Sequence, residues 1–126
     1  MTNKEQELII TRDDYWTYIQ TADYIIPKGW DKHGGKFLVF GNEDQIMFLV
    51  QILIANGSIN PLKYAPPSVE MGYKTWALMV FCLDSDNERI WHILQHEGVT
   101  RKIWKYDRQT IKDWQLGGKL YKRLKR

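Results

Sequence analysis

The loop PKGWDKHGGK, residues 27–36, concentrates side chains that could do chemistry. Trp30 offers an aromatic face, and Lys28, Lys32, His33 and Lys36 surround it with cationic or titratable groups. Gly34 and Gly35 leave the backbone between them free to turn. An aromatic face beside cations is what a base-plus-phosphate ligand needs, because stacking holds the base and charge-assisted hydrogen bonds hold the phosphate. The competing reading folds Trp30 back onto the core as a staple and leaves the cations to solvate the loop.

Other chemistries find less support. His92 and His96 stand four residues apart with Glu88 one turn earlier, a stripe that could share a metal ion. Ile90, Ile93 and Leu94 mark the buried side of the same helix, so the stripe points to solvent and no metal is expected. Cys82 lies mid-strand among apolar neighbours, as a buried, inert thiol would. The sequence holds neither a G-x-S-x-G elbow nor a G-x-x-x-x-G-K-[ST] loop. Its adjacent acids, Asp13-Asp14, Glu43-Asp44 and Asp84 with Asp86, fall at expected helix starts, where they complement the helix dipole. No catalytic residue and no cofactor is assigned.

The elements that must position these groups follow from punctuation. Thr11 and Asp14 resemble a capping box, predicting a helix over about 13–22, and Pro27 and Gly29 then break regular structure. KFLVF reads as a strand, Asn42 with Gln45 as the cap of a helix ending at Gly57, and INPLKY as a short strand. TWALMVFCL is a second, more apolar strand, Ser85 with Glu88 a further capping box, and RIWHILQHE a helix stopped by Gly98. RKIWKY closes the series. Seventeen residues separate Phe40 from Gly57 and Phe81 from Gly98, so the chain reads strand-helix-strand twice. Each unit ends on a Lys-Tyr pair, Lys63-Tyr64 and Lys105-Tyr106.

Two such units in tandem give an α+β fold of the split βαβ-βαβ plan: an antiparallel sheet with both helices on one face, plus the N-terminal helix. The first and third strands are then central and the Lys-Tyr strands form opposite edges, with their lysines about 15 Å apart. The helix over 43–56 is apolar nearly all round and needs a second cover. Either the N-terminal segment or a second copy of the chain, in a homodimer through this helix, would supply it.

At 126 residues the chain fits one domain, expected over 1–116 with its core at 35–114. The net charge is +3, but five of the 18 bases lie in the last ten residues, which leaves 13 bases against 15 acids in the rest. The basicity therefore belongs to a tail, 117–126, after Gly117-Gly118. No apolar run is long enough to cross a bilayer, and MTNKEQEL lacks a signal peptide's apolar segment, so a cytoplasmic protein without a membrane partner is expected.

The stretches GKFLVFGNEDQI, ILIANGSINPLKY and MVFCLDSDNERIWHILQHEGVTRKIWKYDRQT resemble the uncharacterised basophilic-leukaemia-expressed protein family. Its Gly-Lys-aromatic first strand, its lysine after the first helix and its closing Tyr-Lys-x-Asp-x-x-Thr-like segment map onto Gly35, Lys36 and Phe37; Lys63; and Lys105, Asp107 and Thr110. Phe37 stands where the family usually has tryptophan, and the closing motif here reads Lys-Tyr-Asp. The resemblance implies the fold of the cap-binding translation initiation factors. Some members are labelled phosphothreonine lyases, which implies a site that handles phosphate.

The expected function is non-catalytic binding of a phosphate-bearing ligand, a nucleotide or an RNA end, with Trp30 stacking and Lys36, Lys63, Lys105 and Arg108 holding phosphates. A phosphate lyase is the first alternative, with one of those lysines as base and His33 as acid. The second is a protein-interaction module or homodimer built on the apolar helix.

Overall fold

The computed structural model describes residues 7–57 and 61–109. In chain order these form β1 (Leu8–Arg12), β2 (Thr17–Thr21), α1 (Trp30–His33), β3 (Gly34–Gly41), α2 (Glu43–Ala55), β4 (Leu62–Ala65) and β5 (Trp76–Leu83). A 3-10 turn (Asp84–Asp86), α3 (Asn87–His96) and β6 (Trp104–Tyr106) follow. Thr110, Trp114 and the expected basic tail lie outside the described residues.

The six strands form one antiparallel sheet in the order β1-β2-β4-β5-β3-β6. Its last four strands are the split βαβ-βαβ arrangement, with β3 and β5 paired along their whole length at the centre. Asn42 closes the capping box at the start of α2 by accepting from the Gln45 amide, while the Gln45 side chain accepts from the Asn42 amide. Gly57 and Gly98, with φ of +67° and +98°, follow the C-terminal ends of α2 and α3.

Three expectations are corrected. Residues 13–22 hold β2 rather than a helix, because Thr17, Ile19 and Thr21 alternate toward the core with a period of two. Asp13 caps a hairpin turn: its amide bonds the Trp16 carbonyl, and its Oδ1 accepts from the amides of Tyr15 and Trp16. This hairpin pairs with β4, so only the second Lys-Tyr strand, β6, is an edge. Finally, the 3-10 turn occupies the place of the Ser85-Glu88 box, and Asp86 precedes α3 without a side-chain cap.

Helices α2 and α3 cover one face of the sheet. Ile46, Leu49, Val50, Leu53, Ile90 and Leu94 meet Ile19, Phe37, Val39, Leu62, Leu78, Val80 and Cys82 there. Phe37 is 1% exposed, a burial that stabilises the fold by about 2–3 kcal/mol. Among the described residues no helix contributes to the apolar cluster on the other face. That smaller cluster holds Trp16, Ala65, Ala77 and Met79, flanked by Tyr18, Leu38, Met71, Tyr73 and Phe81. The N-terminal segment thus extends the sheet as a hairpin and places Trp16 and Tyr18 on this face.

Candidate functional site

The register brings the three candidate lysines to the open face. Lys36 on β3 stands opposite Phe81 on β5 and opposite Lys105 on β6, while Lys63 on β4 pairs with Met79 on β5 and Tyr18 on β2. Directly paired residues share a face, and so do residues two apart on a strand, which places all three lysines opposite the helices. Lys63 and Lys105 are three strand intervals apart, about 15 Å. Lys36 fills the gap: its Nζ is 5.6 Å from the centre of the Phe81 ring, and Lys63 Nζ is 5.9 Å from the same ring.

Lys36 is 5% exposed and ion-paired, with Nζ 2.9 Å from Asp107 Oδ1. The other oxygen, Oδ2, accepts a 2.7 Å hydrogen bond from the Trp30 indole N–H. Trp30 also lies against Gly34, where an added Cβ would collide with the indole ring. Gly35 plays the same part on the opposite face, seating Trp104. Gly34 is extended (φ −78°, ψ 144°), so these glycines serve by lacking a side chain and not by freeing a turn. Trp30 is the staple of the competing reading, half-buried and fixed through its N–H.

Lys63 has different surroundings. Its Nζ is 4.3 Å from the Trp16 ring centre and 5.4 Å from that of Tyr18, besides Phe81. Asp13 is close enough to act on it electrostatically, but the Asp13 carboxylate is taken by the two turn amides and by the Tyr18 hydroxyl at 3.0 Å. Among the described residues no hydrogen bond or ion pair reaches Lys63 Nζ. Burial, and then the charge of Lys36, push the Lys63 ammonium below its ordinary range, while Asp13 and Asp107 act in the opposite sense. The three rings also favour the ammonium and offset part of that depression.

His33 belongs to a second cluster. Its Nδ1 is 3.1 Å from Asp84 Oδ2, which also accepts from the Tyr106 hydroxyl at 3.0 Å. The bond with His33, followed by that of Tyr106, holds the Asp84 carboxyl below the usual range. The same bond to Asp84, with burial, raises the Tyr106 phenol. The Arg108 guanidinium lies 4.4 Å from the Tyr106 ring centre. Asp84, read from sequence as a helix-start acid, is therefore the partner of His33.

On α3, Glu88 takes the Lys102 ammonium and His96 meets Glu97. No group of His, Cys, Asp and Glu able to hold a metal occurs among the described residues. Cys82 is buried, and desolvation pushes its thiol up to about 12. No helix among them is long and apolar enough to cross a membrane.

The sequence reading missed the floor of the open face: Trp16, Tyr18 and Phe81. The alternation of WTYIQT was the available signal for the first two, and the Lys36 register for the third. A cleft of about 430 Å³ lies elsewhere, between Leu38, Phe40, Phe48, Leu49, Val99 and Ile103. Phe48, on the expected dimer helix, borders it and is 50% exposed. None of the candidate lysines lines this cleft, which is therefore not the centre of the basic site. No family model, curated protein or solved structure matches the chain.

Proposed function

We propose that the open face of the sheet binds a phosphate-bearing ligand of the nucleotide or RNA-end class. The observation that supports this most is Lys63, which among the described residues has no acidic partner and sits on an aromatic floor, on the same face as Lys36 and Lys105. A base stacked on exposed parts of Tyr18 or Phe81 would bring its phosphate to Lys63, and Lys105 would meet a second phosphate about three strand intervals away. Trp30 enters this reading as a support that fixes Asp107, and Lys36 as a charge already balanced by it. That Lys36, Lys63 and Lys105 share one face supports the reading.

Titration with nucleotides, cap analogues and short RNA oligomers while following tryptophan fluorescence tests the reading, since Trp16 lies beside Lys63. Saturable quenching that weakens with salt and is lost in Lys63→Gln is the expected result. Unchanged fluorescence, together with no bound ligand in equilibrium dialysis, would overturn it.

A further inference from the structure

Lys63 carries an inference beyond ionic binding. Long cationic side chains in a fold are usually solvated or paired with a carboxylate. Lys63 is not fully solvated, and among the described residues it is unpaired: it is half-buried between β2 and β5 and its Nζ reaches only rings there. The charged and titratable groups facing it are few. Asp13 and Tyr18 belong to the hairpin and are bonded to one another. Lys36, from β3, is ion-paired with Asp107, which follows β6. The neighbouring residues on β5, Met79 and Phe81, are uncharged.

A lysine half-buried in apolar surroundings with a second lysine nearby is an arrangement that makes an amine more nucleophilic. We propose that Lys63 is a nucleophilic amine that forms an imine with an aldehyde or ketone bound on the open face. The neutral Nζ lone pair attacks the carbonyl carbon, forming a C–N bond while the carbonyl π electrons move to oxygen. One proton passes from nitrogen to that oxygen. The nitrogen lone pair then forms C=N as the C–O bond breaks and, with a second proton, the oxygen leaves as water. Amine and carbonyl give imine and water, and no oxidant or reductant takes part. An aromatic aldehyde suits the site best, since its ring can lie against Phe81 or Tyr18 while its carbonyl meets Nζ.

This inference stands on the setting of Lys63 and does not require the phosphate reading. Its test treats the full chain with pyridoxal at several pH values, reduces any imine with borohydride to a stable secondary amine, and maps the adducts by peptide mass spectrometry. Exposed Lys32 and Lys74 serve as internal references. The expected result is several-fold more adduct at Lys63 than at either reference near neutral pH, with its half-maximal labelling at a lower pH. Lys63→Arg, which keeps the charge but cannot form the imine, loses that adduct alone. Labelling of Lys63 no faster than Lys32 and Lys74 across the pH series overturns the proposal, and that comparison needs no variant to fold. A parallel arm with pyridoxal 5′-phosphate addresses the phosphate reading separately: a preference for the phosphorylated aldehyde at Lys63 supports it, and equal labelling opposes it.

Discussion

Lys36 Nζ lies 2.9 Å from Asp107 Oδ1, across 71 positions of the chain, and neither side chain is freely hydrated. The pair ties the β3 strand to the segment after β6 and closes the open face at that edge. Removing Asp107 takes the ion-pair partner at 2.9 Å away from the buried Lys36. Asp107→Ala is expected to lower stability by about 3 kcal/mol in urea denaturation. The double substitution Lys36→Met with Asp107→Asn removes both charges and is expected to regain most of the loss. A double variant as unstable as the single one would show that the contact matters for reasons other than charge.

The two adjacent glycines of β3 predict unequal effects. An alanine at position 35 meets the Lys105 backbone carbonyl at 2.8 Å as well as the Trp104 ring, so the strand pairing itself has to shift. Gly35→Ala is expected to cost about 2 kcal/mol. At Gly34→Ala the nearest atoms belong to the Trp30 side chain and not to backbone, so it is expected to cost less, while swinging the indole away from Asp107. Trp30 emission should then shift to the red, which fluorescence spectra read directly.

Acid should loosen the fold through Asp13 and Asp84. Both carboxyls titrate below their ordinary range in the folded chain, Asp13 because backbone amides bond to it and Asp84 because His33 does. A depressed folded pKa adds stability that is fully present above the unfolded value, near pH 4, and is lost as pH falls through the folded value. Urea midpoints should therefore drop between about pH 4 and pH 2, and Asp84→Asn should flatten that decline. A midpoint that stays level over this window contradicts the assignment.

Cys82 is expected to resist thiol reagents in the native protein. Its thiol is 2% exposed and pushed up to about 12, so almost no thiolate exists at neutral pH. Reaction with a disulfide reagent should be slow in buffer and complete in denaturant. Fast native labelling would mean that the strand opens.

The two strand-helix-strand units were legible because their boundaries are chemical: Asn42 with Gln45 at one end, Gly57 and Gly98 at the others. Each of these signals acts within a few residues and leaves little choice. The hairpin was not legible in the same way, since Thr11, Asp14 and a run of aromatics satisfy a helix template as well as a turn between strands. Misplacing it also hid Trp16 and Tyr18. Lys36 and Asp107 were both candidates from the sequence, yet their bond depends on strand register and on how far a side chain reaches, which spacing does not encode. The pairing of His33 with Asp84 was hidden for the same reason.

The β1–β2 hairpin joins the rest of the sheet through only three residue pairs with β4. It nevertheless supplies two of the three rings around Lys63. The hairpin also sends Ile19 into the core beneath the helices, so any exchange of it would alter the packing of the scaffold together with the character of the lysine.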